Sequence, residues 1–259
     1  MRLIVLSLAV LFTCLPAWAD TPATSKANLT ILTDEAMLLP LAQIARLYAS
    51  DSKTPLTIAV KNTQTVQQQI EQGLEAHVII TADTSLIEQL AGLGLTDVSS
   101  RKAIARTQLA LVTASNLTQQ ASLAKHISFA SILAATPDLP VYADSLEAVE
   151  GARVKQLTQG QTFSAGLAAR LEEKPTLDEL ITSLRETPSL GLILAAQAIG
   201  EEDIRVVSLL PSDISPEVNY HVLVLGSELM GESKAFANYL SSRTARNVFT
   251  TFGYQPPAN

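Results

Sequence analysis

The feature that most constrains the fold is a regular alternation of short apolar segments with longer amphipathic ones. Residues 29–33 form an apolar strand pattern, and apolar residues then recur at helical spacing from Met37 to Tyr48. Further strand patterns follow at 56–60 and 78–80, each succeeded by a helical pattern. Continuous apolar strands joined by helices are typical of a mainly parallel sheet that is covered on both faces. The sequence therefore predicts an α/β fold.

The alternation continues to the end of the chain and predicts a second sheet. Further strands are predicted at 109–113, 141–142, 190–194, 204–208 and 220–225, with helices near 147–158, 162–173 and 176–186. We predict two lobes, one formed by residues 20–105 together with 210–259 and the other by residues 106–209. Ligands of open α/β sheets bind at the carboxyl ends of the strands, so a binding cleft is expected between the lobes.

The first 19 residues have the layout of a secretory signal peptide. Arg2 supplies a positive charge, residues 3–15 are an almost unbroken apolar run, and residues 17–19 form a small-x-small cleavage site. The apolar run is too short to span a bilayer stably. We predict that residues 1–19 are removed and that the protein works in the periplasm. Lipidation at Cys14 stays open as an alternative, although the site at 17–19 fits cleavage better.

Composition removes several classes of function. Cys14 is the only cysteine, so residues 20–259 contain no thiol nucleophile, disulfide or zinc–thiolate site. The formal net charge is −7 and no basic run is present, so neither nucleic acid nor an anionic membrane surface is an expected partner. The histidines are far apart and lack the spacing of metal ligands; they are His77, His126 and His221. With no base beside a nucleophile either, we predict that the protein is not an enzyme and has no cofactor or metal, and a monomer is the default expectation.

Three stretches of the chain carry a resemblance to a known family. Residues 66–73 form a helical pattern that ends in a glycine turn, and the strand after it ends in Thr81–Ala82–Asp83. Residues 190–193 match a later strand, and residues 235–254 match a closing pair of helices. Together these stretches resemble the periplasmic molybdate-binding proteins of ABC importers, which belong to the two-lobed solute-binding proteins.

The resemblance spans essentially all of residues 20–259 and implies the rest of the architecture. It implies a two-lobed periplasmic-binding-protein fold of type II, in which each lobe is a mainly parallel sheet flanked by helices. It also implies a small-molecule or oxyanion ligand in the cleft and an ABC permease partner in the inner membrane. The matching residues are framework positions, so they indicate the fold and the transport class more than the ligand.

In this family, serine hydroxyls and backbone amides at helix amino-termini hold a tetrahedral oxyanion, which implies three loops of this chain as its site. The first loop has Ala36 where the family has serine, and the second keeps a hydroxyl at Thr63. The third, residues 144–151, belongs to the second lobe. The candidate ligand-binding residues from these loops are Asp34, Glu35, Ala36, Asn62, Thr63 and Glu150.

These loops admit a second interpretation. The carboxylates of Asp34 and Glu35, with Glu150 from the facing lobe, favour a cation or an amine over an anion. Alternatively, Asp34 caps the first helix and Glu35 points to water, while Asn62 and Thr63 are either ligand donors or helix caps.

We predict a solute-binding protein of an ABC importer for a molybdate- or tungstate-type oxyanion. The alternative is a binding or sensory module for another small solute, a cation or an amine, without a transport role.

Overall fold

A computed structural model describes residues 28–61, 66, 68, 72–73, 76–96, 98–115, 128–145, 149–159 and 164–258. The predicted signal peptide and the candidate residues Asn62 and Thr63 lie outside these ranges, as does His126. Glu150 belongs to a described helix, and its side chain lies outside the description. Within these ranges, no helix is long and apolar enough to cross a membrane.

The described residues form ten strands, arranged in two five-stranded sheets. In chain order the strands are β1 (Leu29–Thr33), β2 (Leu56–Val60), β3 (Val78–Thr81), β4 (Lys102–Thr107), β5 (Leu109–Ala114), β6 (Val141–Ala143), β7 (Leu171–Glu173), β8 (Leu190–Leu194), β9 (Ile204–Leu209) and β10 (Val218–Val224). The described α-helices are α1 (Leu38–Ser52), α2 (Thr84–Gly92), α3 (Phe129–Ala135), α4 (Val149–Leu157), α5 (Ser164–Ala168), α6 (Leu177–Glu186), α7 (Met230–Tyr239) and α8 (Arg243–Thr251).

The two sheets share one strand layout. The first has the order β2-β1-β3-β10-β4, and the second has the order β7-β6-β8-β5-β9. In each sheet a central strand, β1 or β6, pairs in parallel with the strand on either side of it. The fourth strand in each order, β10 or β5, runs antiparallel to both of its neighbours. Four of the five strands in each sheet therefore run in one direction. The predicted α/β fold with two mainly parallel sheets is confirmed.

Both faces of the first sheet are buried at β1 and β3, which explains why these two strands are mostly apolar. In β1, Ile31 packs in the cluster with α1, α7 and α8, whereas the next residue, Leu32, packs with α2. The helix residues in the first cluster include Leu41, Ile44, Tyr48, Phe236, Val248 and Phe249. Those in the second are Leu86, Ile87 and Leu90. Side chains alternate between the faces of a strand, so a strand covered on both sides loses its polar alternation.

The chain passes between the sheets twice, and the two passages lie side by side. β4 of the first sheet is followed after one residue, Gln108, by β5 of the second sheet. β9 of the second sheet leads back to β10 of the first. β4 pairs with β10 in the first sheet, and β5 pairs with β9 in the second. The passage from β4 to β5 therefore lies beside the passage from β9 to β10.

An ion pair ties the two passages together. Arg106, near the end of β4, donates from Nη1 to both carboxylate oxygens of Glu217, each 2.6 Å away. Its Nε donates to the carbonyl of Pro256 at 2.8 Å, and its backbone pairs with Gln255 in both directions. The side chains of Arg106 and Glu217 are only 27% and 24% exposed. The carboxyl-terminal tail is thereby fixed to the point where the chain changes sheets.

Candidate functional site

The first candidate loop begins where β1 ends. A three-residue 3-10 helix, Glu35–Met37, follows β1, and α1 begins directly after it. Asp34 precedes this turn, and its Oδ1 accepts a hydrogen bond from the backbone N–H of Met37 at 3.3 Å. Glu35 is exposed and Ala36 is half-buried. The capping role considered for Asp34 is therefore present in the structure, with its charge beside the amino-terminus of a helix.

The carbonyl of Ala36 is held from the other end of the chain. The hydroxyl of Tyr254 donates a hydrogen bond to it at 2.7 Å. Pro40, four residues after Ala36, has no N–H and is unable to take this carbonyl as a helical partner. Sequence reasoning missed Tyr254 because 218 residues separate it from Ala36, and no local pattern reports such a contact.

A small pocket lies at the carboxyl ends of β1, β2 and β3, and we call it the strand-end pocket. Its polar lining comes from Thr33, Asp34, Lys61 and Thr81. The Thr33 hydroxyl is buried and has no hydrogen-bond partner within the described residues, and Lys61 forms no ion pair among them. The Lys61 N–H donates to the Thr33 carbonyl at 2.9 Å, which sets the two residues side by side. This edge of the first sheet therefore offers an ammonium and a hydroxyl, both of which donate hydrogen bonds to anions.

The second sheet presents the same two residue types at the matching positions. Asp144 directly follows the central strand β6, and Lys174 directly follows its parallel partner β7. The Lys174 N–H donates to the Ala143 carbonyl at 2.8 Å, as Lys61 does to Thr33. Asp144 is 5% exposed. Each sheet thus ends in an aspartate and a lysine on neighbouring parallel strands.

The two lysines differ in their surroundings. The Nζ of Lys174 lies 4.1 Å from the centre of the Tyr142 ring and 3.7 Å from the carboxylate of Glu172, so its charge is balanced within the second sheet. Lys61 has no ion-pair partner in the part of the chain that the structure describes, so it is the stronger candidate to meet a charged ligand. Sequence reasoning selected the loop hydroxyls and carboxylates and missed both lysines. For Lys61 the available signal was its place directly after the strand pattern at 56–60, whereas Lys174 follows a segment that the sequence predicts as helix.

A larger pocket, of about 270 Å³, lies between the two sheets, and we call it the intersheet pocket. Glu35 and the start of α1 line one side, and the start of α6 and the turn after β8 line the other. Its lining includes three carboxylates, from Glu35, Asp178 and Glu201, and no described lysine, arginine or histidine. Glu201 is paired with Arg185 at 2.7 Å. The remaining negative charge and the apolar walls suit a small organic cation.

The candidate residues from the sequence are divided between these two pockets. Asp34 lines the strand-end pocket, whereas Glu35 and Ala36 line the intersheet pocket. Three others stay predictions because they lie outside the described residues: Asn62, Thr63 and the side chain of Glu150. The described residues contain no group of three side chains able to hold a metal ion.

The burial of His221 leads to a prediction about folding stability at low pH. It lies in β10 opposite Thr81, where burial, with a smaller effect of Arg101, lowers its pKa below the ordinary 6.5. The folded state therefore binds this proton less readily than the unfolded state, so stability is lost as the pH falls below about 6.5. We expect His221→Gln to show a smaller fall in melting temperature between about pH 7 and pH 5 than the unsubstituted protein. A pH series of thermal unfolding curves measures this, and equal slopes would contradict it.

Two sheets of one layout, joined by adjacent passages and with a pocket between them, form a two-lobed α/β fold. A sequence profile of the bacterial extracellular solute-binding protein family matches residues 29–255, and the chain belongs to this family. The molybdate-binding protein ModA of Escherichia coli strain K12 is 21% identical over 243 residues, which cover 92% of this chain and 93% of ModA. Members of the family are solute-binding proteins, which supports the predicted non-enzymatic role at that level.

Solved structures share the fold. The periplasmic molybdate-binding protein of Azotobacter vinelandii superimposes with a TM-score of 0.71 at 18% identity, covering 89% of this chain and 100% of that one. A periplasmic thiamin-binding protein superimposes with the same TM-score of 0.71 at 13% identity, covering 92% of this chain and 85% of that one. At such identities the likeness establishes the fold and leaves the ligand to the chemistry of the site.

Proposed function

We propose that this protein captures a small oxyanion of the molybdate or tungstate type in the periplasm and delivers it to an ABC permease in the inner membrane. The family supports the transport class, and the ModA relatives support the oxyanion. The observation that carries the ligand class is the strand-end pocket. Lys61 and Thr33 both line it, and among the described residues the Lys61 ammonium forms no ion pair and the buried Thr33 hydroxyl has no hydrogen-bond partner.

The carboxylate of Asp34 does not prevent an anion from binding, because it already accepts a hydrogen bond and shares its pocket with a lysine. Asp34 accepts the Met37 N–H as a helix cap, and the ammonium of Lys61 lines the same pocket. One positive and one negative charge offset each other there, so an arriving anion meets hydrogen-bond donors without a net repulsive charge. Tetrahedral oxyanions bind at such places because N–H and O–H donors replace their water shell.

Two lobes that close on the ligand are part of the proposal. They are residues 20–105 with 210–259, and residues 106–209. The change of sheet at Gln108 supports this division to within a few residues, since β4 ends at Thr107 and β5 begins at Leu109. Two adjacent passages permit a hinge rotation, and a ligand that contacts both lobes stabilises the closed arrangement.

Replacing Lys61 by glutamine is expected to weaken molybdate binding at least about tenfold, because a charge-assisted hydrogen bond contributes roughly 1.5–3 kcal/mol. The matched control is Lys102→Gln, which removes the same charge at the start of β4, on the opposite edge of the first sheet. Calorimetric titration of residues 20–259 with molybdate measures both. Equal affinities in the two variants would contradict the role of Lys61, and an absence of molybdate binding to the unsubstituted protein would contradict the oxyanion.

A second candidate ligand is a small organic cation in the intersheet pocket. The observation in its favour is the lining of three carboxylates with no described cationic side chain, on a fold that a thiamin-binding protein shares. A thermal-shift panel separates the candidates, since a ligand at a hundred times its Kd stabilises the fold by about 2.7 kcal/mol. A shift with molybdate and tungstate supports the oxyanion. A shift with thiamin alone, abolished by Glu35→Gln with Asp178→Asn, supports the cation.

A further inference from the structure

We infer that Tyr254 is a positioning residue, which sets the first ligand loop, residues 34–37, from the carboxyl-terminal tail. Its effect on ligand affinity rests on the proposed function, whereas its effect on the loop does not. The tail, residues 253–256, contacts this loop, the passages between the sheets and the turn after β8. It therefore joins the first ligand loop to the point where the lobes meet.

The link to the loop is one hydrogen bond with a defined donor and acceptor. The Tyr254 hydroxyl donates to the Ala36 carbonyl at 2.7 Å. Ala36 lies in the 3-10 turn between β1 and α1, where Met37 donates to Asp34 and Leu38 donates to Glu35. In a regular helix the Ala36 carbonyl would accept a hydrogen bond from the N–H of residue 40. Pro40 has no N–H, so this carbonyl is available to the Tyr254 hydroxyl. The hydrogen bond fixes the turn that carries the candidate residues of the first loop.

The hydroxyl is held in place by the core rather than by the loop. Tyr254 is 3% exposed, and its ring meets two others edge to face. The ring centres are 5.8 Å apart for Tyr220 and 6.2 Å apart for Phe249. Such packing fixes the ring without help from the hydroxyl. Removing the hydroxyl alone therefore removes one restraint on the loop and leaves the ring in position.

The next residues connect this ring to the passages between the sheets. Gln255 exchanges two backbone hydrogen bonds with Arg106, at 2.8 and 2.9 Å. The Arg106 side chain in turn binds Glu217 and the carbonyl of Pro256. The tail is therefore fixed at two places, the strand β4 beside the passages and the Ala36 carbonyl of the first ligand loop.

The residue before the ring touches the second sheet. A Cβ built on Gly253 would lie 3.2 Å from the Cα of Ala196 and 2.5 Å from Cγ1 of Ile199, both in the turn after β8. The tail thus lies directly against the second sheet on one side and holds the first ligand loop on the other. Because of this position, we expect Tyr254 to affect ligand affinity, unlike a buried tyrosine that contacts neither the ligand loop nor the passages.

The test compares Tyr254→Phe with a matched control, Tyr239→Phe, by hydrogen exchange of the ligand-free protein. The hydroxyl of Tyr239 is buried and has no hydrogen-bond partner within the described residues, so its removal costs no contact there. We expect the amides of Met37 and Leu38 to exchange about fivefold faster in Tyr254→Phe and at the original rate in Tyr239→Phe, because one neutral hydrogen bond is lost only in the first. Unchanged exchange in Tyr254→Phe overturns the inference.

A third variant separates a local effect from a general loss of stability. Ile181→Val shortens a buried side chain of α6 at the second sheet and loses comparable global stability. If the amides of Met37 and Leu38 exchange as fast in this variant as in Tyr254→Phe, Tyr254 has only a structural role and the inference is wrong.

Molybdate titration adds the functional readout. With the loop released, the Kd for molybdate is expected to rise about fivefold in Tyr254→Phe and to stay constant in Tyr239→Phe and Ile181→Val. A Kd that is equal in all variants contradicts the positioning role. If the unsubstituted protein binds no molybdate, the proposed ligand fails, while the exchange rates still decide the inference about the loop.

Discussion

Replacing Gly253 by alanine is expected to lower the free energy of unfolding by about 3 kcal/mol, from two separate causes. Gly253 has a φ of 79°, a left-handed conformation that costs an L residue roughly 1 kcal/mol or more. The added Cβ would also lie 2.5 Å from Cγ1 of Ile199 and 3.2 Å from the Cα of Ala196. Because the second atom belongs to the backbone, a rotamer change is insufficient and the turn after β8 has to move.

Companion variants separate the two causes. Gly94 has a φ of 68° and nothing within 4 Å of an added Cβ, so Gly94→Ala isolates the backbone contribution of about 1 kcal/mol. Combining Gly253→Ala with Ile199→Ala relieves the shortest contact and is expected to recover part of the remainder. Urea unfolding at equilibrium measures each variant. Equal losses in Gly94→Ala and Gly253→Ala would mean that the tail does not press on the second sheet.

Replacing Arg106 by methionine is expected to cost a similar amount, about 3 kcal/mol. The substitution leaves the Glu217 carboxylate, whose side chain is 24% exposed, without its partner, and it removes the donor to the Pro256 carbonyl. Loss of one partner costs more than the ion pair itself contributes, because the remaining charge stays partly desolvated. Methionine keeps the apolar length of the side chain, so the measured loss reports the charge and its hydrogen bonds.

The matched control is Arg185→Met, which breaks an exposed pair. Arg185 binds Glu201 at 2.7 Å and Asp203 at 2.9 Å, with its side chain 42% exposed. Exposed pairs contribute roughly 0–1 kcal/mol, and salt screens them. Urea unfolding at low and high salt compares the variants. A loss of stability in Arg106→Met as small as that in Arg185→Met would show that the contacts of Arg106 with Glu217 and Pro256 contribute little to stability.

Two short strands of the first sheet were among the most predictable elements of this chain. The patterns at 29–33 and 56–60 coincide with β1 and β2, because a short apolar run bounded by polar residues fits few other structures. The helix predicted at 162–173 is confirmed over α5 and wrong beyond Ala168, where α5 ends and β7 (Leu171–Glu173) follows. β7 is an edge strand with exposed glutamates, so its sequence carries no apolar strand pattern.

The reversed strands were not predictable from their sequences. β5 and β10 run against their neighbours, yet side chains alternate between faces with a period of two in either direction. Their direction follows from the passages between the sheets, which is a property of the whole chain.

The candidate site shows the same division between local and long-range information. The capping role of Asp34 was available from the sequence, because a cap acts within three residues. The contact of Tyr254 with Ala36 was not, because it depends on the path of the tail. Lys61 directly follows a predicted strand, but its equivalence to Lys174 was not available from the sequence, because only the strand pairing places the two lysines at matching positions.

The central claim is that two lobes close on an oxyanion, and a distance between them tests it most directly. Residues 20–259 contain no native cysteine, so Ser85→Cys with Glu179→Cys accepts two spin labels. Both positions are exposed in the first turns of helices, α2 at the first sheet and α6 at the second. Pulsed electron paramagnetic resonance is expected to show a shorter distance with saturating molybdate than without it. An unchanged distance with molybdate, and a shorter one with thiamin, would contradict the oxyanion and favour the cation of the intersheet pocket.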